Sequence, residues 1–296
     1  MKEGRYNWVL FALLSAASIA SMAACVRIAN TELPQSEVVF FRNFIAVLLL
    51  VPFAIRQKLS LRTNHFGLHL VRAGLGLCAM YLYFYAVTHL PLTDAVLLNY
   101  TSPLFVSLFA VMWLKESLTT RRRLAGFLGL VGVFCLFHPS SASASVAGVI
   151  GLLSGLMAGL AQTSVKKLSN TESSLLIVLM YAFFASIFSV IPMLLEFTFP
   201  SGRMWLWLTA VGGFGTLGQL SLTRAFTLAP ASQVSPLGYS GLLFAGLIGF
   251  YFWHEAPAEW TIAGTILIVI AGILVAREKI EPIPTRPDAR LEFPKT

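Results

Sequence analysis

Runs of about twenty residues with few or no charges recur along almost the whole chain, and they limit what it can fold into. A helix of about 20 apolar residues crosses the hydrocarbon core of a bilayer. Only 11% of the residues are charged, against about 25% in soluble domains. The chain is therefore predicted to be an all-α integral membrane protein. Ten transmembrane helices are expected, at 8–26, 37–55, 68–88, 91–113, 122–138, 146–165, 173–195, 204–227, 230–253 and 259–276.

The two halves of the chain contain a weak internal repeat. A shift of 139 positions, the difference between 230 and 91, places Pro91 on Pro230 and Glu116 on Glu255. The same shift aligns Ser15 with Ser154, Ala86 with Ala225, Tyr100 with Tyr239 and Phe105 with Phe244. We therefore expect two five-helix repeats, 1–138 and 146–277. Because each repeat has an odd number of helices, the second enters from the opposite side, and such inverted repeats are typical of alternating-access transporters.

Basic residues are distributed unevenly between the predicted loops. If the N-terminus is cytoplasmic, sixteen of the 21 basic residues lie in inner segments, and the outer segments keep only Arg27 and Arg203. This bias predicts that both termini are cytoplasmic in a bacterial inner membrane. Orientation then explains the net charge of +8, so no nucleic-acid partner is expected. The tail 278–296, rich in proline and charge, is predicted to be a disordered cytoplasmic extension. The inner basic residues are Lys2, Arg5, Arg56, Lys58, Arg62, Lys115, Arg121, Arg122, Arg123, Lys166, Lys167, Arg277, Lys279, Arg286, Arg290 and Lys295.

The sequence contains no pattern typical of a cofactor-dependent or catalytic site. Cys25, Cys78 and Cys135 all lie inside apolar runs and lack metal-ligand spacing, so we expect no metal site. No Walker sequence or strand-preceded glycine-rich loop occurs, and the histidines form no readable catalytic set. We therefore predict no bound cofactor and no enzymatic activity.

Several stretches resemble the drug/metabolite transporter superfamily, specifically its ten-helix, two-repeat EamA-type branch. The resemblance covers about residues 8–277 and is carried by 37–43 (EVVFFRN), 72–86 (RAGLGLCAMYLYFYA) and 90–116, with a weaker copy at 228–255. It implies a secondary transporter with a central cavity bounded by helices 1, 3, 4, 6, 8 and 9. Members of this superfamily carry amino acids, nucleotide-linked metabolites or drugs on one scaffold, so the resemblance does not identify the substrate.

Arg42 is the sharpest candidate for a substrate-binding residue, because it lies about five residues inside the predicted second helix. A charge at that depth costs several kcal/mol unless something stabilises it. It either binds an anion in the cavity, or extends outward to the interface, or pairs with Glu37. Arg72 and Arg224 lie nearer the inner boundary, where extension to the interface is expected, although Arg224 could close an inner gate.

Repeated polar positions suggest a water-filled path between the halves. Asp94 corresponds to Gln233, and seven residues later Thr101 corresponds to Ser240. For Asp94, capping of the fourth helix is an alternative to proton coupling. For Thr101 and Ser240, a cavity is favoured over simple interhelical hydrogen bonding.

Prolines and neighbouring polar residues are expected to shape the two hairpins and the cavity. Pro91 and Pro230 should begin the fourth and ninth helices, while Pro103 and Pro236 should interrupt them near mid-depth, where freed carbonyls require burial or a cavity. The remaining expected lining residues are Tyr81, Asn99, Tyr100, Gln162, Gln219 and Tyr239.

Taken together, these features predict a secondary transporter for a small polar or amphipathic metabolite, such as an amino acid or a derivative. A multidrug exporter is the nearest alternative and would need a membrane-embedded carboxylate, for which Asp94 is the candidate. An intramembrane enzyme and a channel are more distant alternatives. The expected partners are the substrate and the lipid bilayer, and the protein should be a monomer or a weak dimer.

The first prediction concerns topology. A reporter fused after Lys58 should be cytoplasmic, and one fused after Ser143 should be periplasmic, because the charge bias fixes the N-terminus inside. Phosphatase and fluorescent-protein fusions measure this directly. A reversed result at either site would contradict the inverted repeat.

Overall fold

The computed structural model describes residues 6–90, 98–137, 145–254 and 259–277. These residues are helical throughout, apart from short connections, and contain no strand. Pro91, Asp94, the linker 139–144 and the tail 278–296 lie outside the described residues. The helices are α1 (Asn7–Ala29), α2 (Gln35–Arg56), α3 (Phe66–His89), α4 (Ser102–Leu114), α5 (Thr120–Phe137), α6 (Val146–Ser169), α7 (Ser174–Leu195), α8 (Gly202–Leu228), α9 (Ala231–Val234), α10 (Ser240–Trp253) and α11 (Glu259–Ala276).

Apolar helices of membrane-spanning length account for much of the described chain. Six stretches are long and apolar enough to cross a bilayer, and Ser102–Leu114 and Ile266–Ala276 are shorter apolar helices. Large apolar side chains such as Leu48, Ile55, Ile191 and Leu206 face outward, which suits a lipid environment better than water. The prediction of an all-helical membrane protein is therefore confirmed. The six stretches are 7–29, 35–56, 66–83, 146–169, 174–195 and 231–252.

Two of the predicted spans are interrupted at equivalent positions. The ninth span consists of α9, a 3-10 turn at Ser235–Tyr239, and α10, while α4 begins directly after a turn at Tyr100 and Thr101. Pro103 and Pro236 each occupy the first turn of the segment that follows, where the missing N–H has no intrahelical partner to lose. The interruptions meet under the 139-residue shift at Tyr100 and its equivalent Tyr239, although the prolines themselves are not equivalent.

Packing between the two halves follows the same shift. The contact of α1 with α8 corresponds to that of α6 with α3, and the contact of α1 with α10 corresponds to that of α6 with α4. The shift exchanges α2 with α7 and α5 with α11, so each of these two contacting pairs corresponds to itself. The described helices therefore pack with approximate two-fold symmetry, and the self-paired helices lie next to the axis.

One end of the bundle, here called the basic end, is joined by the charged side chains of half-buried Glu116 and buried Lys166. The Glu116 carboxylate accepts hydrogen bonds from the backbone N–H groups of Ala231 (2.9 Å) and Ser232 (3.1 Å), which caps α9. Lys166 Nζ donates to the carbonyls of Phe226 (2.5 Å) and Ala229 (2.9 Å) at the end of α8. The Glu116 contacts join the α4–α5 loop to the start of α9, and the Lys166 contacts join α6 to the end of α8.

The loops α2–α3 and α6–α7 also meet at the basic end. Glu172 contacts His69 Nε2 at 2.5 Å and accepts a short hydrogen bond from the Thr63 hydroxyl. Because His69 belongs to the first half and Glu172 to the second, this contact joins the two halves.

The opposite end is joined by carboxylates from the other set of loops. Glu37 Oε2 accepts a hydrogen bond from the Thr198 backbone N–H (3.1 Å), and Glu196 accepts one from the Ser36 hydroxyl (2.8 Å). The loops α1–α2 and α7–α8 therefore lie side by side. Both of these contacts link the first half of the chain to the second, as the contacts of Glu116 and Glu172 do at the basic end, so polar interactions join the two halves at both ends.

Candidate anion-binding site

Arg42 lies in the interior of the bundle. It is seven residues into α2, which places its Cα about 10 Å from the start of that helix at 1.5 Å per residue. Its side chain is only 6% exposed. Nη1 donates to Asn43 Oδ1 at 2.6 Å, and the Asn43 amide donates in turn to the Val39 carbonyl at 2.9 Å. Nε has no hydrogen-bond partner, so Arg42 retains a donor for another group.

Arg72 reaches the same region from the opposite end of the bundle. It lies six residues into α3 and is 4% exposed. Its Nη2 donates to Gln219 Oε1 on α8 at 3.3 Å, whereas Nε and Nη1 are buried and have no partner. The expectation that Arg72 extends to the inner boundary is wrong, because its side chain runs inward along α3 towards Gly76.

The two guanidinium groups meet at the ring of Tyr181 on α7. The ring centroid lies 4.0 Å from Cζ of Arg72 and 5.5 Å from Cζ of Arg42, and Tyr181 itself is 4% exposed. A cation–π contact contributes about 0.5–2 kcal/mol. Burial of an unpaired ion costs several kcal/mol, so the ring alone does not compensate the two charges.

Two glycines provide the space that the site occupies. A β-carbon at Gly215 on α8 would lie 3.0 Å from Nε of Arg42. A β-carbon at Gly76 on α3 would overlap Nη1 of Arg72 and lie 3.1 Å from Cε2 of Tyr181. Gly76 and Gly215 are equivalent under the 139-residue shift, as are Arg42 and Tyr181. The site is therefore built at the contact between the repeats, from matching positions of both.

No carboxylate within the described ranges forms an ion pair with either arginine. The ion pair found there is His69 with Glu172, at the basic end. Glu37 is fully buried, but it accepts its hydrogen bond from Thr198. The alternative in which Glu37 neutralises Arg42 is therefore wrong. Extension of Arg42 to the interface is also inconsistent with its burial against Tyr181 and Gly215.

The interrupted helices hold most of the other predicted residues, but these make contacts of a different kind. Asn99 donates to the Ser154 hydroxyl on α6 at 3.1 Å. The Thr101 and Ser240 hydroxyls each donate to a backbone carbonyl three residues earlier, at 2.6 Å. Thr101 packs closely against Gly155 of α6. These hydroxyls are satisfied locally, which favours packing over the predicted polar stripe.

Tyr239 and Tyr100 lie at the contact of the two interrupted spans. Tyr239 is fully buried against Gly129 of α5, and Tyr100 packs in the same apolar cluster. Pro103 comes near Gly238, and Ser107 and Ser235 exchange a hydrogen bond at 3.2 Å. Pro236 is buried within the 3-10 turn. This group joins the two hairpins and makes no described contact with the arginines.

Tyr81 lies in a separate cavity at the opposite end of the bundle. The cavity has a volume of about 340 Å³ and opens between α2, α3 and α7. Its lining residues are Gln35, Ser36, Tyr81, Tyr85, Pro192, Leu195 and Glu196. Of the remaining predicted residues, Gln162 is half-buried on α6, Arg224 is half-buried near the end of α8, and Pro230 precedes α9.

The repeat alignment contained a signal for the residues that the sequence interpretation missed. Arg72, Tyr181, Gly76 and Gly215 were not assigned to the site, although the shift pairs the two glycines and pairs Tyr181 with Arg42. Glycines at equivalent positions of α3 and α8 indicate that a neighbouring side chain or helix comes close to the backbone there in both repeats.

A helical membrane protein with a buried cationic site between two related halves is typical of a transporter, and comparison with known proteins gives the family. The sequence model of the EamA-like transporter family matches residues 6–138 and, a second time, residues 146–277. The chain belongs to this family, of the drug/metabolite transporter type, with two repeats. The predicted absence of enzymatic activity agrees with this, since the family and the relatives are transporters.

Relatives of nearly the same length include transporters of different metabolites. A pseudopaline exporter of Pseudomonas aeruginosa is 35% identical over 92% of this chain and 96% of its own. A riboflavin transporter of Brucella anthropi is 29% identical over 89% and 94%, and an S-adenosylmethionine uptake transporter of Rickettsia felis is 24% identical over 91% of each chain. A solved crystal structure with 16% identity has a TM-score of 0.77 over 93% of this chain and 96% of its own, which shows the same fold.

The second prediction tests the space at Gly76. Gly76→Ala should displace Arg72 from Tyr181 and lower the free energy of unfolding by about 1–3 kcal/mol relative to Gly74→Ala. Gly74 is the matched control, because a β-carbon there meets nothing within 4 Å and alanine favours a helix. Thermal unfolding in detergent compares the two, and equal midpoints would show that the glycine is not needed. In the second repeat, Gly215→Ala should likewise lower the unfolding midpoint relative to its control Gly213→Ala, because a β-carbon at Gly213 meets nothing within 4 Å.

Proposed function

We propose that this protein is a secondary transporter for a small metabolite that carries a carboxylate, such as an amino-acid derivative, and that Arg42 binds this carboxylate. The observation that carries the proposal is the pair of buried arginines without a carboxylate partner among the described residues. A charge at this depth is tolerated when a substrate or a partner stabilises it. Guanidinium binds carboxylates in a bidentate manner, which gives both affinity and orientation.

The relatives are consistent with a metabolite of this size and polarity. S-adenosylmethionine, the substrate named for one relative, is an amino-acid derivative with a carboxylate. A pseudopaline exporter is the relative with 35% identity. Riboflavin has no carboxylate, so the family as a whole does not require one. The carboxylate on the substrate is therefore inferred from the buried arginines of this chain, and the relatives support only transport of a small metabolite.

Transport by alternating access is part of the proposal. Ten spanning helices in two inverted repeats would place the arginine site near the axis that relates them. Two observations support this arrangement, the symmetric packing of the described helices and the equivalent interruptions before α4 and α10. In this mechanism the contacts of Glu116 and Glu172 at the basic end would open in one state, and those of Glu37 and Glu196 in the other.

The proposed orientation places the basic end in the cytoplasm of a bacterium, with both termini inside and the chain in the inner membrane. Most basic residues of the described chain lie in the loops and helix ends on that side, whereas Arg27 and Arg203 lie at the opposite end. Proton coupling through Asp94 and a monomeric or weakly dimeric state remain predictions. A multidrug exporter would need an essential carboxylate in the membrane, for which Asp94 is the candidate predicted from the sequence. Glu37, which is buried within the described helices, accepts a hydrogen bond from Thr198 through Oε2.

The third prediction separates Arg42 from Glu37. Arg42→Gln should weaken binding of a carboxylated substrate by about 2–5 kcal/mol, because removal of one partner of a buried charge pair costs that much. Arg42→Lys should retain part of the affinity, since the charge remains but the bidentate geometry is lost. Glu37→Gln should bind almost normally. Affinity is measured in proteoliposomes at matched expression, with S-adenosylmethionine as a carboxylated probe and riboflavin as a probe without a carboxylate.

The contrary result is equally specific. If Arg42→Gln binds and transports every probe as well as the unmodified protein, Arg42 is not part of the site. Equal losses in Arg42→Gln and Glu37→Gln would indicate that the two residues act as a structural pair.

A further inference from the structure

Arg72 is a second buried cation in the same site. Its guanidinium is as deeply buried as that of Arg42 and faces the same ring of Tyr181. Two like charges that share one aromatic ring in an apolar bundle repel each other, and no carboxylate of the described residues lies within ion-pair distance of either. A ligand with one carboxylate would therefore neutralise only one of the two positive charges.

The unpartnered donors of the two arginines face different helices. Nε of Arg42 lies beside Gly215 on α8, and Nη1 of Arg72 lies beside Gly76 on α3. A single carboxylate has two oxygens and forms a bidentate pair with one guanidinium. If one carboxylate binds Arg42 in this way, the donors of Arg72 remain buried without an acceptor, which costs free energy. Because the unpartnered donors belong to two different guanidinium groups, we favour two anionic groups on the ligand.

The fold itself does not require a cation at position 72. The equivalent position of the second repeat is Val211, which is fully buried in an apolar cluster with Met204 and Leu208. An aliphatic side chain therefore satisfies the packing at this place in the architecture. The charge at Arg72 is an addition on one side of the axis, as the charge at Arg42 is, since its own equivalent is Tyr181.

We propose that Arg42 and Arg72 together bind a substrate with two carboxylates, one on each guanidinium, with Tyr181 between them. The proposal rests on the proposed function, because it assigns the substrate class of the same site. A dicarboxylate would neutralise both cations, and the spacing of its two groups would contribute to specificity. A plain neutral amino acid, with one carboxylate and one ammonium group, would leave an excess of positive charge at the site.

The experiment uses small dicarboxylates as probes for this site. Binding of succinate and glutarate to the purified full-length protein is measured by thermal shift and by calorimetry. Acetate at twice the concentration supplies the same number of carboxylates, and sodium chloride matches the ionic strength. We expect a dicarboxylate to raise the unfolding temperature where acetate and chloride do not. Arg72→Gln and Arg42→Gln should each weaken this binding at least about tenfold.

A second readout distinguishes a binding role of Arg72 from a structural one. Without ligand, Arg72→Gln should unfold at the same temperature as the unmodified protein or higher, because one of two uncompensated charges is removed. Gln219→Ala removes the hydrogen bond from Nη2 but leaves the charge of Arg72, so it should weaken dicarboxylate binding less than Arg72→Gln does. A lowered unfolding temperature for Arg72→Gln, together with unchanged dicarboxylate binding, would overturn the proposal.

The remaining outcomes separate this proposal from the proposed function. Acetate and dicarboxylates could raise the unfolding temperature equally, in a way that depends on Arg42 but not on Arg72. That result would overturn the site for two carboxylates and leave a site for one carboxylate intact. Binding that survives in both variants, or no stabilisation of the unmodified protein by any dicarboxylate, would overturn the proposal here. If S-adenosylmethionine binding also survives in Arg42→Gln, the proposed function fails with it.

Discussion

The burial of two guanidinium groups in an apolar bundle is the interaction on which the site depends. Arg42 and Arg72 approach Tyr181 from helices that begin at opposite ends of the bundle. Removal of each charge from water costs several kcal/mol, and the aromatic ring returns only part of it. Other features of the interface serve this arrangement, since Gly76 and Gly215 leave room and Asn43 and Gln219 each accept one hydrogen bond.

Backbone hydrogen bonding sets a second constraint, because unpaired N–H and C=O groups are costly in the membrane. The interrupted ninth span meets this requirement through side chains from elsewhere in the chain. Glu116 accepts from the first N–H groups of α9, and Lys166 donates to the last carbonyls of α8. These charged residues near the basic end therefore stabilise a short break between helices. The Glu116 contacts also join the α4–α5 loop of the first half to the start of α9 in the second half.

Helix positions could be predicted from the sequence because apolar runs and proline positions determine them locally. The first helix was expected at 8–26 and occupies Asn7–Ala29, and the turn before Pro230 lies where it was expected. Side-chain direction could not be predicted in the same way. Arg72 was expected at the boundary from its distance to the helix end, but its side chain extends inward. The Thr101 and Ser240 hydroxyls were assigned to a cavity, yet a helix offers its own carbonyls as acceptors.

The most direct test of the arginine site is a cryo-electron microscopy structure of the protein with a bound dicarboxylated substrate. We expect one carboxylate within hydrogen-bond distance of Nε of Arg42 and the other within reach of Nη1 of Arg72, with the ring of Tyr181 between them. A ligand bound at the interrupted helices instead, beside Tyr100 and Tyr239, with both guanidinium groups still lying over Tyr181, would contradict the assignment of the site.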